Sequence, residues 1–128
     1  MSYLWIFIGG GLGSAARFAV SGMVARRFGE TFPWGTLMVN LSGSLAIGFI
    51  AAATAPDGRW LVSPGARQFL MLGLLGGYTT FSSFSLQTLE LMRDGDWLRA
   101  GGNVLLSVLL CLTGVWLGHS LANAMNSH

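Results

Sequence analysis

The chain has 128 residues, of which 52% are hydrophobic and 9% are charged, and its mean hydropathy is +0.60. Soluble domains carry about 25% charged residues, so this composition argues against a soluble globular protein. The formal net charge is +2, and every basic side chain is an arginine. The one cysteine, Cys111, excludes an intrachain disulfide. No metal-ligand cluster and no nucleophile with a matching base is visible, so we do not expect an enzyme. We expect no nucleic-acid partner either.

Four apolar segments cover most of the chain, at residues 3–24, 34–55, 69–92 and 100–122. Each is close to the roughly 20 residues that a helix needs to cross a bilayer. We therefore predict an all-α protein embedded in the lipid bilayer, with one four-helix transmembrane domain over residues 1–128. The first basic residue, Arg17, lies deep in the first segment, so we expect no cleavable signal peptide.

The arginines in the connectors are divided unevenly between the two sides of the membrane. One side has two, Arg59 and Arg67, and the other side has four: Arg26, Arg27, Arg93 and Arg99. Four against two is a weak bias under the positive-inside rule. Two interpretations stay open, a single orientation or insertion in both orientations. Antiparallel pairing of subunits would follow from the second.

The third segment has the most unusual composition. Residues 73–85 read Gly-Leu-Leu-Gly-Gly-Tyr-Thr-Thr-Phe-Ser-Ser-Phe-Ser. Tandem glycine weakens a helix, and irregular backbone at membrane depth is tolerated only where protein or a wet cavity surrounds it. We therefore predict a break at Gly76 and Gly77 and an ion or solute path. Phe81 and Phe84 share one face, and ring edges, which carry partial positive charge, could border an anion among hydroxyl groups.

Polar side chains in the other segments admit two interpretations each. Arg17 either extends to the membrane surface or serves as a structural anchor and a source of positive potential for an anion. Asn40 either makes a packing hydrogen bond or donates to an anion, and Thr36 shares its face. A polar stripe on the fourth segment comprises Asn103, Ser107 and Cys111.

Small residues also recur at the spacing that lets helices approach closely. The pairs are Gly9 with Gly13 and Gly114 with Gly118. A non-transporting membrane assembly protein, with glycines and hydroxyls serving only packing, is therefore one alternative. A small four-helix multidrug or cation exporter is another, but it needs a carboxylate within the membrane, and the acidic residues lie in connectors or near a segment end.

Three blocks of sequence identify a likeness to a known family. They are Gly-Gly-Gly-Leu-Gly-Ser-Ala-Ala-Arg ending at Arg17, Pro-Trp-Gly-Thr-Leu-Met-Val-Asn ending at Asn40, and Gly-Gly-Tyr-Thr-Thr-Phe-Ser-Ser-Phe-Ser from Gly76 to Ser85. In order and spacing, the chain resembles the Fluc (CrcB-type) fluoride ion channels along essentially its whole length.

The resemblance implies four-helix subunits that assemble as an antiparallel homodimer through dual-topology insertion in the cell inner membrane. Such a dimer has two fluoride pathways and a structural sodium ion at its interface. The implied function is passive, highly selective export of cytoplasmic fluoride, without a coupling carboxylate.

Carried onto this chain, the resemblance assigns the sodium ion to the backbone carbonyls of Gly76 and Thr79. The residues expected along the fluoride pathway are Asn40, Phe81, Phe84, Thr80, Ser82, Ser107 and Thr36. The chain departs from the family pattern at Gln87, where an acidic residue is common, and at Asn103 and Cys111 on the fourth helix. The departure at Gln87 puts in question any switch that depends on a negative charge there. The departures at Asn103 and Cys111 put in question how the polar side chains of the fourth helix line the pathway.

Overall fold

A computed structural model describes residues 2–127 of the protein. Within them, four helical segments are long and apolar enough to cross a membrane: Ser2–Phe28, Trp34–Ala53, Pro64–Arg93 and Trp97–Asn126. The prediction of an all-helical chain with four candidate spans is confirmed. Successive spans are joined by short connectors, so neighbours in sequence run in opposite directions.

Most of the helices extend beyond the apolar segments that predicted them. Helix α1 (Ser2–Phe28) continues through Arg26 and ends before Gly29, whose φ of +84° suits glycine. Helix α2 (Trp34–Ala53) is the exception, since it ends two residues before the predicted boundary at 55. Hydropathy marks where a helix can contact lipid, whereas caps and turn residues decide where it ends.

The last helix, α6 (Trp97–Asn126), begins with a side-chain cap in the connector. The Asp96 carboxylate accepts a hydrogen bond from the Arg99 backbone N–H at 3.2 Å and another from its guanidinium at 2.7 Å. The guanidinium holds the pKa of the Asp96 carboxyl below its ordinary value. This cap explains why α6 starts before the predicted apolar segment.

The third span consists of several helical pieces. It begins with α3 (Pro64–Gln68), widens into a π-helix over Phe69–Leu75, and continues as α4 (Gly76–Tyr78) and α5 (Phe81–Arg93). Between α4 and α5 the backbone is extended, with φ/ψ of −81°/159° at Thr79 and −150°/116° at Thr80. Two consecutive residues therefore leave the helical conformation.

The glycine pair of the third span is helical, which differs from the expected break at that position. Gly76 has φ −62° and ψ −37°, and the extended residues lie three positions further on. Gly77 instead provides space, because a Cβ there would lie 2.9 Å from the Gly10 Cα of α1. The pair thus permits close packing, while the threonines that follow carry the irregular backbone.

Two closely packed helix pairs make up the structure. A Cβ on Gly9 of α1 would lie 2.9 Å from the Leu74 nitrogen of the third span. A Cβ on Gly118 of α6 would lie 2.9 Å from the Phe49 nitrogen of α2. The prediction that these glycine pairs allow backbones to approach is confirmed. Helix α5 is different, since it makes few contacts with the other helices, mainly with α6.

Candidate functional site

A groove of about 400 Å³ lies between α2, the third span and α6. It brings together most of the residues predicted to form the site, namely Asn40, Gly76, Thr79, Thr80, Phe81, Phe84 and Ser107. The groove is also lined by Gly43, Ser44 and Cys111, which the sequence analysis did not assign to the site. Cys111 lies on the predicted polar stripe of the fourth segment. Ser44 follows Asn40 by four positions, so helical periodicity is the signal that could have assigned it to the site.

Asn40 binds both polar groups of the Thr80 backbone. Its Oδ1 accepts from the Thr80 N–H at 2.8 Å, and its Nδ2 donates to the Thr80 carbonyl at 2.9 Å. In an uninterrupted helix the Thr80 N–H would donate to the Gly76 carbonyl. Asn40 takes that donor, so the Gly76 carbonyl loses its helical partner. This contact is a packing hydrogen bond between helices, the first of the two interpretations of Asn40. The second hydrogen on Nδ2 remains for another acceptor, such as an anion.

Helix α5 starts in the groove, with Thr80 as its N-cap. The Thr80 hydroxyl accepts from the Ser83 N–H at 3.1 Å. The first N–H groups of α5 have no partner within the helix, and the helix dipole adds partial positive charge there. An N-terminus at this depth favours an anion in the groove.

The two phenylalanine rings lie on the first turn of α5. Their centroids are 5.3 Å apart and their planes meet at 44°. Phe81 is 78% exposed, whereas Phe84 is half-buried. Ser82 does not line the groove and is exposed, with its hydroxyl 3.3 Å from that of Thr80. The structure thus brings the rings together and leaves Ser82 outside.

Behind the groove, a buried chain of hydrogen bonds joins α6 to α5. Asn103, which is 2% exposed, donates from Nδ2 to the Thr88 hydroxyl at 2.9 Å. Thr88 donates in turn to the Phe84 carbonyl at 2.7 Å. Ser107 donates to the Asn103 Oδ1 at 3.4 Å. The polar stripe on α6 was predicted, but its partner Thr88 was not.

A second cavity of about 330 Å³ shares Thr80 with the groove and contains Arg17, Thr36 and Gln87. The Arg17 Nε donates to the Gly77 carbonyl at 3.2 Å, which favours the anchor interpretation over extension to the membrane surface. Thr36 is buried and lines this cavity instead of the groove. The Gln87 Oε1 is buried without a hydrogen-bond partner among the described residues.

Four apolar spans, and a groove that carries a few polar groups among apolar side chains, define a multi-pass membrane protein with the features of an ion or solute path. Residues 4–119 match the model of the family described as CrcB-like protein, Camphor Resistance (CrcB). The chain belongs to this family.

Curated relatives match nearly the whole chain. A protein of Opitutus terrae named fluoride-specific ion channel FluC is 65% identical, over 98% of this chain and 95% of its own length. Proteins with the same name from Methylocella silvestris and Rhodospirillum rubrum are 60% and 55% identical, each over 98% of this chain and over 96% and 98% of their own lengths. These names describe ion channels, so the expectation that the chain is not an enzyme is confirmed, as is its resemblance to the fluoride channel family.

Proposed function

We propose that this protein is a passive, highly selective fluoride channel that exports cytoplasmic fluoride across the cell inner membrane. The observation that carries the proposal is the groove in which the N-terminus of α5, the rings of Phe81 and Phe84, and the Asn40 amide meet. Membership of the CrcB family and relatives named as fluoride channels support the choice of ion.

The groove offers fluoride replacements for its water. A small, strongly hydrated anion crosses an apolar layer only if donors take over from water. The free Nδ2 hydrogen of Asn40 and the hydroxyl of Thr80 are donors in the groove. The 3.4 Å bond from Ser107 to Asn103 is long, so the Ser107 hydroxyl can turn to an anion at small cost. Ring edges of Phe81 and Phe84 add partial positive charge.

Arg17 and Thr36 belong to the approach to the groove. They share the second cavity with Thr80, which lines both spaces. The Arg17 Nε is bound to the Gly77 carbonyl, but a guanidinium has four further N–H groups, and its charge raises the local potential for an anion. We assign to Arg17 a structural and electrostatic role, and to Thr36 a position beside the entering ion.

A second copy of the chain covers the groove in this proposal. Phe81 and Gly76 are exposed, and so are the hydroxyl residues Ser82 and Ser85 of α5. Polar side chains and irregular backbone at membrane depth are expected against protein or water, not against lipid. We assign the cover to an antiparallel, dual-topology homodimer, in which the extended Thr79–Thr80 backbone is a functional break in the third span. Residues 1–128 then act as one channel domain.

The dimer interface would hold a structural sodium ion on the backbone carbonyls of Gly76 and Thr79. The residues fit such an ion, because Asn40 has removed the helical donor of the Gly76 carbonyl and Thr79 lies at the end of α4 in extended conformation. Unwound carbonyls at the end of a half-helix are ligands that sodium uses in membrane proteins. Bound there, the ion would supply fixed positive charge between the subunits.

Fluoride release from loaded proteoliposomes tests the function. Valinomycin carries the compensating potassium, and a fluoride electrode follows the external concentration. We expect rapid release of fluoride and retention of chloride in a parallel sample. Equal release of both anions, or no release from a monodisperse dimer, would refute the proposed channel.

A further inference from the structure

Helix α5 carries both phenylalanines of the proposed pathway but is held to its neighbours at few points. Among residues 2–127, the side-chain hydrogen bonds that join α5 and its cap to other helices come from two asparagines. Asn40 of α2 fixes Thr80 at the start of α5. Asn103 of α6 fixes Thr88, two turns further along. The first contact lies in the groove, and the second lies behind it.

The Asn103 amide contacts two walls of the groove from the rear. Its Nδ2 donates to the Thr88 hydroxyl at 2.9 Å, and that hydroxyl donates to the Phe84 backbone carbonyl at 2.7 Å. Its Oδ1 side accepts the Ser107 hydroxyl at 3.4 Å. Phe84 and Ser107 both line the groove, whereas Asn103 and Thr88 do not. One buried amide therefore links the backbone of α5 at Phe84 to the face of α6 that carries Ser107.

The bond between Asn103 and Thr88 is the part of this network that holds one geometry. Asn103 is 2% exposed and Thr88 is 8% exposed, so neither side chain can exchange its partner for bulk water. A buried polar group that loses its partner is destabilising, which penalises any rotation of α5 that separates the pair. Because α5 makes few other contacts with the neighbouring helices, and these are mainly with α6, the pair is a principal constraint on its position.

We propose that Asn103 and Thr88 are positioning residues that hold Phe84 at the distance from Ser107 that fluoride passage requires. This inference rests on the proposed channel function. It assigns a role to Asn103, one of the positions at which the chain departs from the family pattern. The residues act through Phe84 and do not themselves contact the ion.

Three variants separate positioning from simple structural support. Thr88→Ser keeps the hydroxyl, and Thr88→Val replaces it with a methyl group of similar size. The double variant Asn103→Leu with Thr88→Val removes both partners, and replacing both partners by apolar groups can restore the stability that a single loss removes. For each, the initial rate of fluoride release per folded dimer is measured together with the temperature at which the dimer is lost on gel filtration.

We expect Thr88→Ser to release fluoride within about twofold of wild type and Thr88→Val about tenfold more slowly. The double variant should regain thermal stability while its release stays about tenfold below wild type. Wild-type release from the double variant, or from Thr88→Val, would overturn the positioning role. If Thr88→Val does not fold, the rate of fluoride release by the double variant alone tests the positioning role. A wild-type protein that releases no fluoride would instead refute the proposed function, and this inference with it.

Discussion

The side chain of Asn40 pairs with both the N–H and the carbonyl of Thr80, forty residues further along the chain, at 2.8 Å and 2.9 Å. This contact takes a backbone donor from the third span and fixes the residue that caps α5. The same amide lines the groove, where it retains one hydrogen for an anion. A single residue thus supports the irregular backbone and faces the proposed pathway.

Replacement of Asn40 by Asp should suppress fluoride passage. The carboxylate can still accept from the Thr80 N–H, but it repels the Thr80 carbonyl and places a like charge in the path of the anion. We expect release from proteoliposomes to fall at least about tenfold, which corresponds to about 1.4 kcal/mol. Ser44→Ala, in the same groove, is a control that leaves this pair intact. If Asn40→Asp releases fluoride at the wild-type rate, Asn40 serves only in packing and does not contact the ion.

Replacement of either phenylalanine should lower the rate of fluoride release without dissociating the proposed dimer. Phe81→Ile and Phe84→Ile keep an apolar side chain but remove the ring edge, so we expect release to fall about tenfold or more in each. Phe7→Ile is a matched control, since Phe7 is 79% exposed and Phe81 is 78% exposed. Gel filtration checks that the proposed dimer persists. Full release by both variants would favour the view that these rings serve packing alone.

An acidic residue is common at position 87 in the family, but in this chain a carboxylate there should hinder entry of the anion, because Glu30 already lines the same cavity. Gln87 shares its cavity with Arg17 and Glu30, and its buried oxygen has no partner among the described residues. Gln87→Glu adds a negative charge there, so we expect slower release at neutral pH, by about fivefold or more. Gln87→Met removes the polar group without adding charge and should stay within about twofold. Equal effects of the two variants would show that charge is not the cause.

Gly76→Val tests the proposed sodium site. A Cβ at Gly76 would meet only the Met71 carbonyl, at an ordinary 3.6 Å, so the single chain tolerates a side chain there. We expect Val to crowd the proposed dimer interface and to abolish both fluoride release and sodium binding, the latter measured with radioactive sodium on the purified protein. Gly11→Val is the control, because nothing lies within 4 Å of a Cβ at Gly11. Sodium bound equally by both variants would exclude this site.

Features set by local sequence were predictable. The four spans follow from apolar composition, and the close approach at Gly9 and Gly118 follows from small residues at helical spacing. Phe81 and Phe84 share the first turn of α5 because three residues make nearly one turn of helix. Each of these features depends on side chains within a few positions of one another.

Features set by contacts between distant segments were not predictable. The extended backbone lies at Thr79 and Thr80 instead of at the glycine pair, because Asn40 of another helix provides the competing hydrogen bonds. Thr88 gave no signal of its own, since a hydroxyl on a helix usually bonds the preceding turn, and its bond to Asn103 exists only once α5 meets α6. The π-helical stretch before the glycine pair likewise left no mark in the residue pattern.

The most direct test of the central claim is the reversal potential of the current through the purified protein in a planar bilayer. Both sides would contain fluoride at unequal concentrations, with chloride as the remaining anion, and the fluoride gradient would then be changed at constant pH. The account predicts a current that reverses at the fluoride equilibrium potential and follows it as the gradient changes. A reversal potential that follows chloride, or one that shifts with the proton gradient at fixed fluoride, would contradict a passive, fluoride-selective channel.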